Sequence, residues 1–129
     1  MTHVAFEGNL IRDPELRFTP DGKAVTNFTV AVSSRKKVGD QWQDGDSIFY
    51  QCAVWGQPAE NFVASALKGT RVVVIGVLNP ENYEKDGETR QSLKVNVDSV
   101  GLSTRFKAVS DGSQQALNES YGDNTSPWD

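Results

Sequence analysis

Four aromatic side chains and a set of cations are the residues most able to do chemistry in this chain. Phe49, Gln51, Ala53 and Trp55 alternate along one face of an extended stretch, with Tyr50, Cys52 and Val54 on the other. The first set places large rings at both ends of a mixed face; the second has core character. Trp42 stands in a polar segment, where an exposed Trp is unusual, and Tyr83 has a similar setting. Arg35, Lys36 and Lys37 lie near Trp42, and Lys85 and Arg90 lie near Tyr83. Rings that stack on unpaired bases and cations that follow phosphates are what single-stranded nucleic acid requires of a protein. The alternatives are plain. Phe49 and Trp55 can cap a barrel or fill an interface, and a basic triplet can be a solvated loop.

Other chemistries find little support. The chain has one His and one Cys, so no pair has metal-ligand spacing. No glycine-rich phosphate loop opens a helix, and no Ser sits in a G-x-S-x-G turn. His3 is expected at a frayed surface position and Cys52 inside the core. We therefore expect no enzyme, no metal and no cofactor.

Composition bounds the setting. Of 129 residues, 13 are Lys or Arg and 17 are Asp or Glu, a formal net charge of −4. Every base and 13 of the 17 acids precede residue 108, so residues 1–107 are neutral. The whole net charge falls on Asp111, Glu119, Asp123 and Asp129. Such asymmetry marks two parts with distinct roles: a domain over 1–107 and an acidic tail over 108–129. The tail is expected to be disordered, because its scattered apolar residues cannot offset ordering at roughly 1–2 kcal/mol per residue. The longest apolar run, Val72 to Leu78, is far short of the roughly 20 residues of a membrane helix. The opening Met-Thr-His-Val-Ala-Phe-Glu has no signal-peptide pattern, and a lone Cys fits a reducing compartment. A cytoplasmic protein is expected.

The elements that must position the aromatics follow from periodicity. Val4 to Ile11 predicts a first strand with a bend at Gly8. After Pro14 and a short extension at Leu16 to Thr19, Pro20-Asp21-Gly22 predicts a turn. Ala24 to Ser33 alternates as a second strand, expected to form a hairpin with the first across Asp21-Gly22. Residues 35–47, rich in Lys, Asp and Gly, predict a long loop. Ile48 to Trp55 is the third strand. Pro58 suits a first helical position, and Ala59, Phe62, Val63, Ala66 and Leu67 form an amphipathic stripe, closed by Lys68 and Gly69. Arg71 to Leu78, apolar on both faces, predicts a central fourth strand. Residues 82–98 predict a hairpin around Asp86-Gly87, whose return arm runs through Val95 and Val97 into Leu102 as the fifth strand. Five strands with one helix between the third and fourth predict an all-β fold, a small Greek-key barrel of the OB type.

At the level of motifs the chain resembles the bacterial single-stranded DNA-binding protein family, and most of all its actinobacterial branch. The resemblance rests on Gly8-Asn9-Leu10, Asp13-Pro14-Glu15-Leu16-Arg17, Gly22 to Val25, Asn27-Phe28-Thr29-Val30-Ala31, Trp55-Gly56, Ala59-Glu60-Asn61, Lys68-Gly69, Val74-Ile75-Gly76 and Val95 to Val100, in order across residues 3–102. The segments Phe49 to Trp55 and Gly101 to Phe106 carry the actinobacterial likeness. The resemblance implies sequence-nonspecific binding and protection of single-stranded DNA in replication, recombination and repair. It also implies a homotetramer of OB folds that wraps DNA, with stacking rings at Phe49, Trp55 and Tyr83. A further family Trp aligns near Lys36 and is absent here, with Trp42 in the same segment as its substitute. Part of Val4 to Ile11 would pair between subunits, and Tyr50 would lie near a subunit interface. The family's tail ends in acids and Pro-Phe that dock replication and repair partners. Here Asp123, Pro127, Trp128 and Asp129 stand instead, with Trp for Phe and an Asp beyond it. The other class of function left open is an OB-fold protein-interaction or primosome-assembly module, or a specialised paralogue for competence or sporulation, that binds DNA weakly.

Overall fold

A computed structural model of the chain describes residues 1–109. Its elements are β1 (Thr2–Leu10), β2 (Glu15–Phe18), β3 (Ala24–Val38), β4 (Gln41–Trp55), α1 (Gln57–Ser65), β5 (Arg71–Lys85) and β6 (Glu88–Leu102). The strands run in the order β1-β5-β6-β4-β3-β2, and β1 also pairs with β3. That last pairing joins the ends, so β1, β3, β4, β6 and β5 form a closed five-stranded barrel. Within the barrel, closure gives each of the five strands a partner on both sides. β4 and β6 are parallel neighbours, and the other pairs are antiparallel.

Closure depends on how β1 crosses between partners. It pairs with β5 from Thr2 to Asn9, then meets β3 only at Asn9 and Leu10. A Cβ at Gly8 would fall on the Ala31 carbonyl oxygen and come within 2.8 Å of Val30 Cγ1. Only glycine lets the two backbones approach this closely.

Alternation fills the interior. Leu10, Phe28, Val30, Cys52, Val54, Val72, Val74 and Val95 are buried. Helix α1 covers one end of the barrel with Ala59 and Phe62, and the Phe28 and Phe62 rings lie 4.5 Å apart. Pro58 stands in its first turn. β5 lies between β1 and β6 as a central strand, but its outer face is open: Val73 and Ile75 are exposed.

Several expectations change. The hairpin partner of β3 across the Pro20–Gly22 turn is the short β2, with Phe18 opposite Ala24, and not β1. Residues 35–47 do not form a loop. β3 continues to Val38, β4 begins at Gln41, and the pair projects as a two-stranded ribbon. Ladder hydrogen bonds satisfy its backbone without a core, so polar composition did not preclude strands. The helix ends at Ser65, before Lys68 and Gly69, because Ala66 turns to extended backbone (φ −121°, ψ 145°) and buries its methyl. The hairpin at Asp86-Gly87 is as expected, with positive φ at both residues.

Candidate nucleic-acid interface

Strand alternation decides which side chains share a surface. On β4, Phe49 (53% exposed) and Trp55 (50%) point outward with Gln51 and Ala53 between them, while Cys52 and Val54 point into the core. β3 contributes Asn27, Thr29 and Ala31 to the same sector, opposite Ala53, Gln51 and Phe49. On the other side β6 sets Lys94 beside Gln51 and Asn96 beside Ala53. At Gln51 and Ala53 this surface sinks into a groove of about 460 Å³, lined by the cations Arg12, Arg17 and Lys94, the carboxylates Asp13 and Glu15, and the amides Asn27, Gln51 and Asn96 among others.

The ribbon extends the sector. Its register runs Ser33 to Ser47 and then Arg35 to Asp44, so β4 carries one residue more than β3 over this stretch. This β-bulge at Gly45 and Asp46 reverses the alternation of the outer part of β4. Without it, Trp42 would fall on the face opposite Phe49. With it, Trp42 stands opposite Lys37, on the face that carries Arg35, Ala31 and Phe49. Trp42 is 60% exposed. Lys36 pairs with Gln43 and lies on the reverse face of the ribbon.

The β5–β6 hairpin extends the sector on its other flank. Tyr83 stands opposite Arg90, and Lys85 opposite Glu88, on the face that continues through Lys94 and Asn96. Tyr83 is half-exposed. The structure thus brings Phe49, Trp55, Trp42, Tyr83, Arg35, Lys37, Lys85 and Arg90 onto one sector and leaves Lys36 behind it. Asp123, Pro127, Trp128 and Asp129 lie outside the described residues.

Sequence reasoning missed Arg12, Arg17 and Lys94, the cations that line the groove. Arg12 and Arg17 flank the Asp13-Pro14 break, where no local pattern marks them as ligands. Lys94 looks like an ordinary polar position of an alternating strand. The available signal was that it shares alternation with Asn96. Some of these charges have partners: Arg17 lies 3.4 Å from Glu15, Lys94 2.9 Å from Glu81 and Arg90 3.7 Å from Glu88. All are exposed pairs, weak and easily exchanged in water. Arg12 makes no ion pair among the described residues.

Among the described residues, the remaining titratable groups give no catalytic arrangement. Burial pushes the Cys52 thiol up to about 12, so it is inert at neutral pH. Glu7 is held below the ordinary carboxylate range by the Ser103 hydroxyl and by Arg71. It receives hydrogen bonds from both and an ion pair from Arg105. Arg71 and Arg105 in turn lie against the Phe106 ring, at 4.8 and 5.5 Å. This cluster ties residues 103–106 to the outside of β1 and β5, away from the groove. Among the described residues no group of His, Cys, Asp and Glu could hold a metal ion.

A closed five-stranded barrel with a parallel β4–β6 pair and one helix capping its end defines the chain as an OB-fold protein. Its outer sector of half-exposed rings and cations is the kind of surface on which such barrels hold single strands. Residues 1–103 match the single-strand binding protein family, and the chain belongs to that family. It is 45% identical over 108 residues to the single-stranded DNA-binding protein of Paenarthrobacter aurescens, an alignment covering 81% of this chain and 63% of that one. The protein of the same name from Mycolicibacterium smegmatis is 44% identical over 108 residues, covering 81% and 66%. Among solved structures, the crystal structure of the small single-stranded DNA-binding protein from Streptomyces coelicolor superposes with a TM-score of 0.72 at 26% identity. That match covers 80% of this chain and 94% of the other. The chain spans just under two thirds of the length of these two curated relatives.

Proposed function

We propose that this protein binds single-stranded DNA without sequence preference and protects it during replication, recombination and repair. The observation that carries the reading is the outer sector itself: Trp42, Phe49, Trp55 and Tyr83 exposed along one surface, with a groove at Gln51 and Ala53 lined by Arg12, Arg17 and Lys94 as well as by Asp13 and Glu15. The names of its relatives point the same way. In this mechanism bases leave water to stack on the rings, each contributing about 1–3 kcal/mol, a range measured on single-strand binders generally. Every base has a π face, so the stack tolerates any sequence. Arg12, Arg17, Lys37 and Lys94 follow the phosphates and release counterions, which makes affinity fall with salt.

Assembly belongs to the same proposal. Val73 and Ile75 expose apolar surface on β5, and Ala5 of β1 stands opposite Ile75. A second copy laid against this face would bury it and leave the groove open, as a homotetramer that wraps DNA requires. Among the described residues no helix is long and apolar enough to cross a membrane, and a cytoplasmic setting fits a DNA ligand. Recruitment of replication and repair proteins by the acidic tail tip remains part of the proposal.

The test is a titration of poly-dT at several salt concentrations. Trp55→Ala is expected to weaken binding roughly 5- to 150-fold, the equivalent of about 1–3 kcal/mol. Lys37→Ala is expected to lower the slope of log affinity against log salt by about 0.7, the contribution of one phosphate contact, while Lys36→Ala leaves it unchanged. Wild-type affinity in Trp55→Ala would remove the site assignment. A second reading, a protein-interaction barrel with weak DNA binding, is favoured by one feature: Arg17, Lys94 and Arg90 each have a carboxylate neighbour. Wild-type binding to dT only at micromolar concentrations would select it.

A further inference from the structure

Phe18 is 62% exposed although it lies in a regular strand. It lines a cleft of about 540 Å³ at the end of the sheet, together with Lys23, Trp55, Gly56, Gln57 and Glu60. The cleft adjoins the stacking sector, because Trp55 borders both. Register explains how. Arg17, Val25 and Trp55 form one rung, and Phe18 and Ala24 form the next. Trp55 and Phe18 therefore project from opposite faces of the pleat and meet the same cleft where the strands end.

We propose that this cleft is a further base-stacking subsite, in which Phe18 receives a nucleobase of the DNA as the strand leaves Trp55 and turns around the end of the sheet. The inference rests on the single-strand-binding reading above and extends it by one subsite. Three features favour a nucleobase as the occupant. The subsite adjoins Trp55, the end ring of the stacking sector, which lines the same cleft. Lys23 supplies a cation at the rim and makes no ion pair among the described residues. Glu60 in the wall disfavours a phosphate inside the cleft, so the base enters and the backbone passes on the Lys23 side.

The backbone on both walls of the subsite is hydrogen-bonded. The turn between β2 and β3 is held by Thr19 N–H donating to the Lys23 carbonyl (2.9 Å) and Gly22 N–H to the Thr19 carbonyl (2.8 Å). The Thr19 hydroxyl donates to Asp21 and accepts from Lys23 N–H. On the other wall, Gly56 N–H donates to the Ala24 carbonyl at 2.9 Å. A backbone held this way loses little freedom when a base enters the cleft.

The experiment uses the full chain and fluorescently labelled dT oligomers. Phe18→Ala and Phe18→Leu are expected to weaken binding of a long oligomer about 5- to 100-fold, and Phe18→Trp to restore it. An oligomer carrying 5-iododeoxyuridine is expected to crosslink to Phe18 in the wild-type chain, a readout independent of any variant's folding. Wild-type affinity in Phe18→Leu, beside a weakened Trp55→Ala, would overturn the subsite and leave the general reading standing. A change of oligomeric mass in Phe18→Ala without loss of affinity would also overturn it, making Phe18 a contact between copies. Failure of the wild-type chain to bind dT at all would remove both.

Discussion

Thr26 shows what single positions contribute here. It is completely buried on β3, opposite Val54, and its hydroxyl has no hydrogen-bond partner among the described residues. An unpartnered buried hydroxyl costs stability, and Val has nearly the same shape without it. Thr26→Val is expected to stabilise the fold by about 1 kcal/mol, measured as a higher denaturant midpoint at unchanged slope. A lower midpoint would show that the hydroxyl has a role. At this scale much was legible in advance. The alternation from Phe49 to Trp55 separated outward rings from inward Cys52 and Val54, because the pleat has a period of two. Arg12, Arg17 and Lys94 were not legible, since their place at the groove depends on partners distant in sequence.

At the scale of elements, the Glu7 cluster shows how a segment without regular structure is held. Residues 103–106 are attached to β1 and β5 through Glu7, which is bonded by Ser103 and Arg71 and paired with Arg105. The carboxyl titrates below its ordinary range when folded. The stability it contributes is therefore present above the ordinary carboxylate value and is lost as pH falls through the lowered folded value. Thermal melting of wild type and Glu7→Gln is expected to differ at neutral pH, with wild type the more stable, and to converge in acid. A constant gap across pH would mean that Gln disturbs packing and not a charge. The elements themselves were legible where periodicity was long, as in β5 and the Asp86-Gly87 hairpin. The ribbon was misread because its exposed residues lack an apolar face, so no alternation distinguishes strand from loop. Its bulge was invisible for the same reason, although the bulge is what turns Trp42 to the face of Phe49.

At the scale of the whole molecule, charge is divided along the chain. Residues 1–107 balance, and the net −4 comes from Asp111, Glu119, Asp123 and Asp129. If the cations on the outer sector attract DNA, four acids on the same chain compete for them at short Debye length only weakly and at long Debye length strongly. A chain cut after Lys107 is expected to bind dT more tightly than the full chain at low salt, with the two converging as salt rises. Equal affinity at every salt concentration would separate the tail's charge from the groove.

The amino-acid order by itself determined the local facts: the inward and outward faces, the turns at Gly22 and Gly87, the OB pattern, the family and the charge asymmetry. These need only near neighbours, because pleat, turn chemistry and helix period are short-range. Tertiary structure decided which separate faces become one surface. Barrel closure through β1, the parallel β4–β6 pairing and the ribbon's bulge set Arg12, Lys94, Trp42 and Tyr83 around Phe49 and Trp55, and set Phe18 beside the end of that row. Contacts between residues far apart in the chain are fixed by register and closure, and those are properties of the assembled barrel.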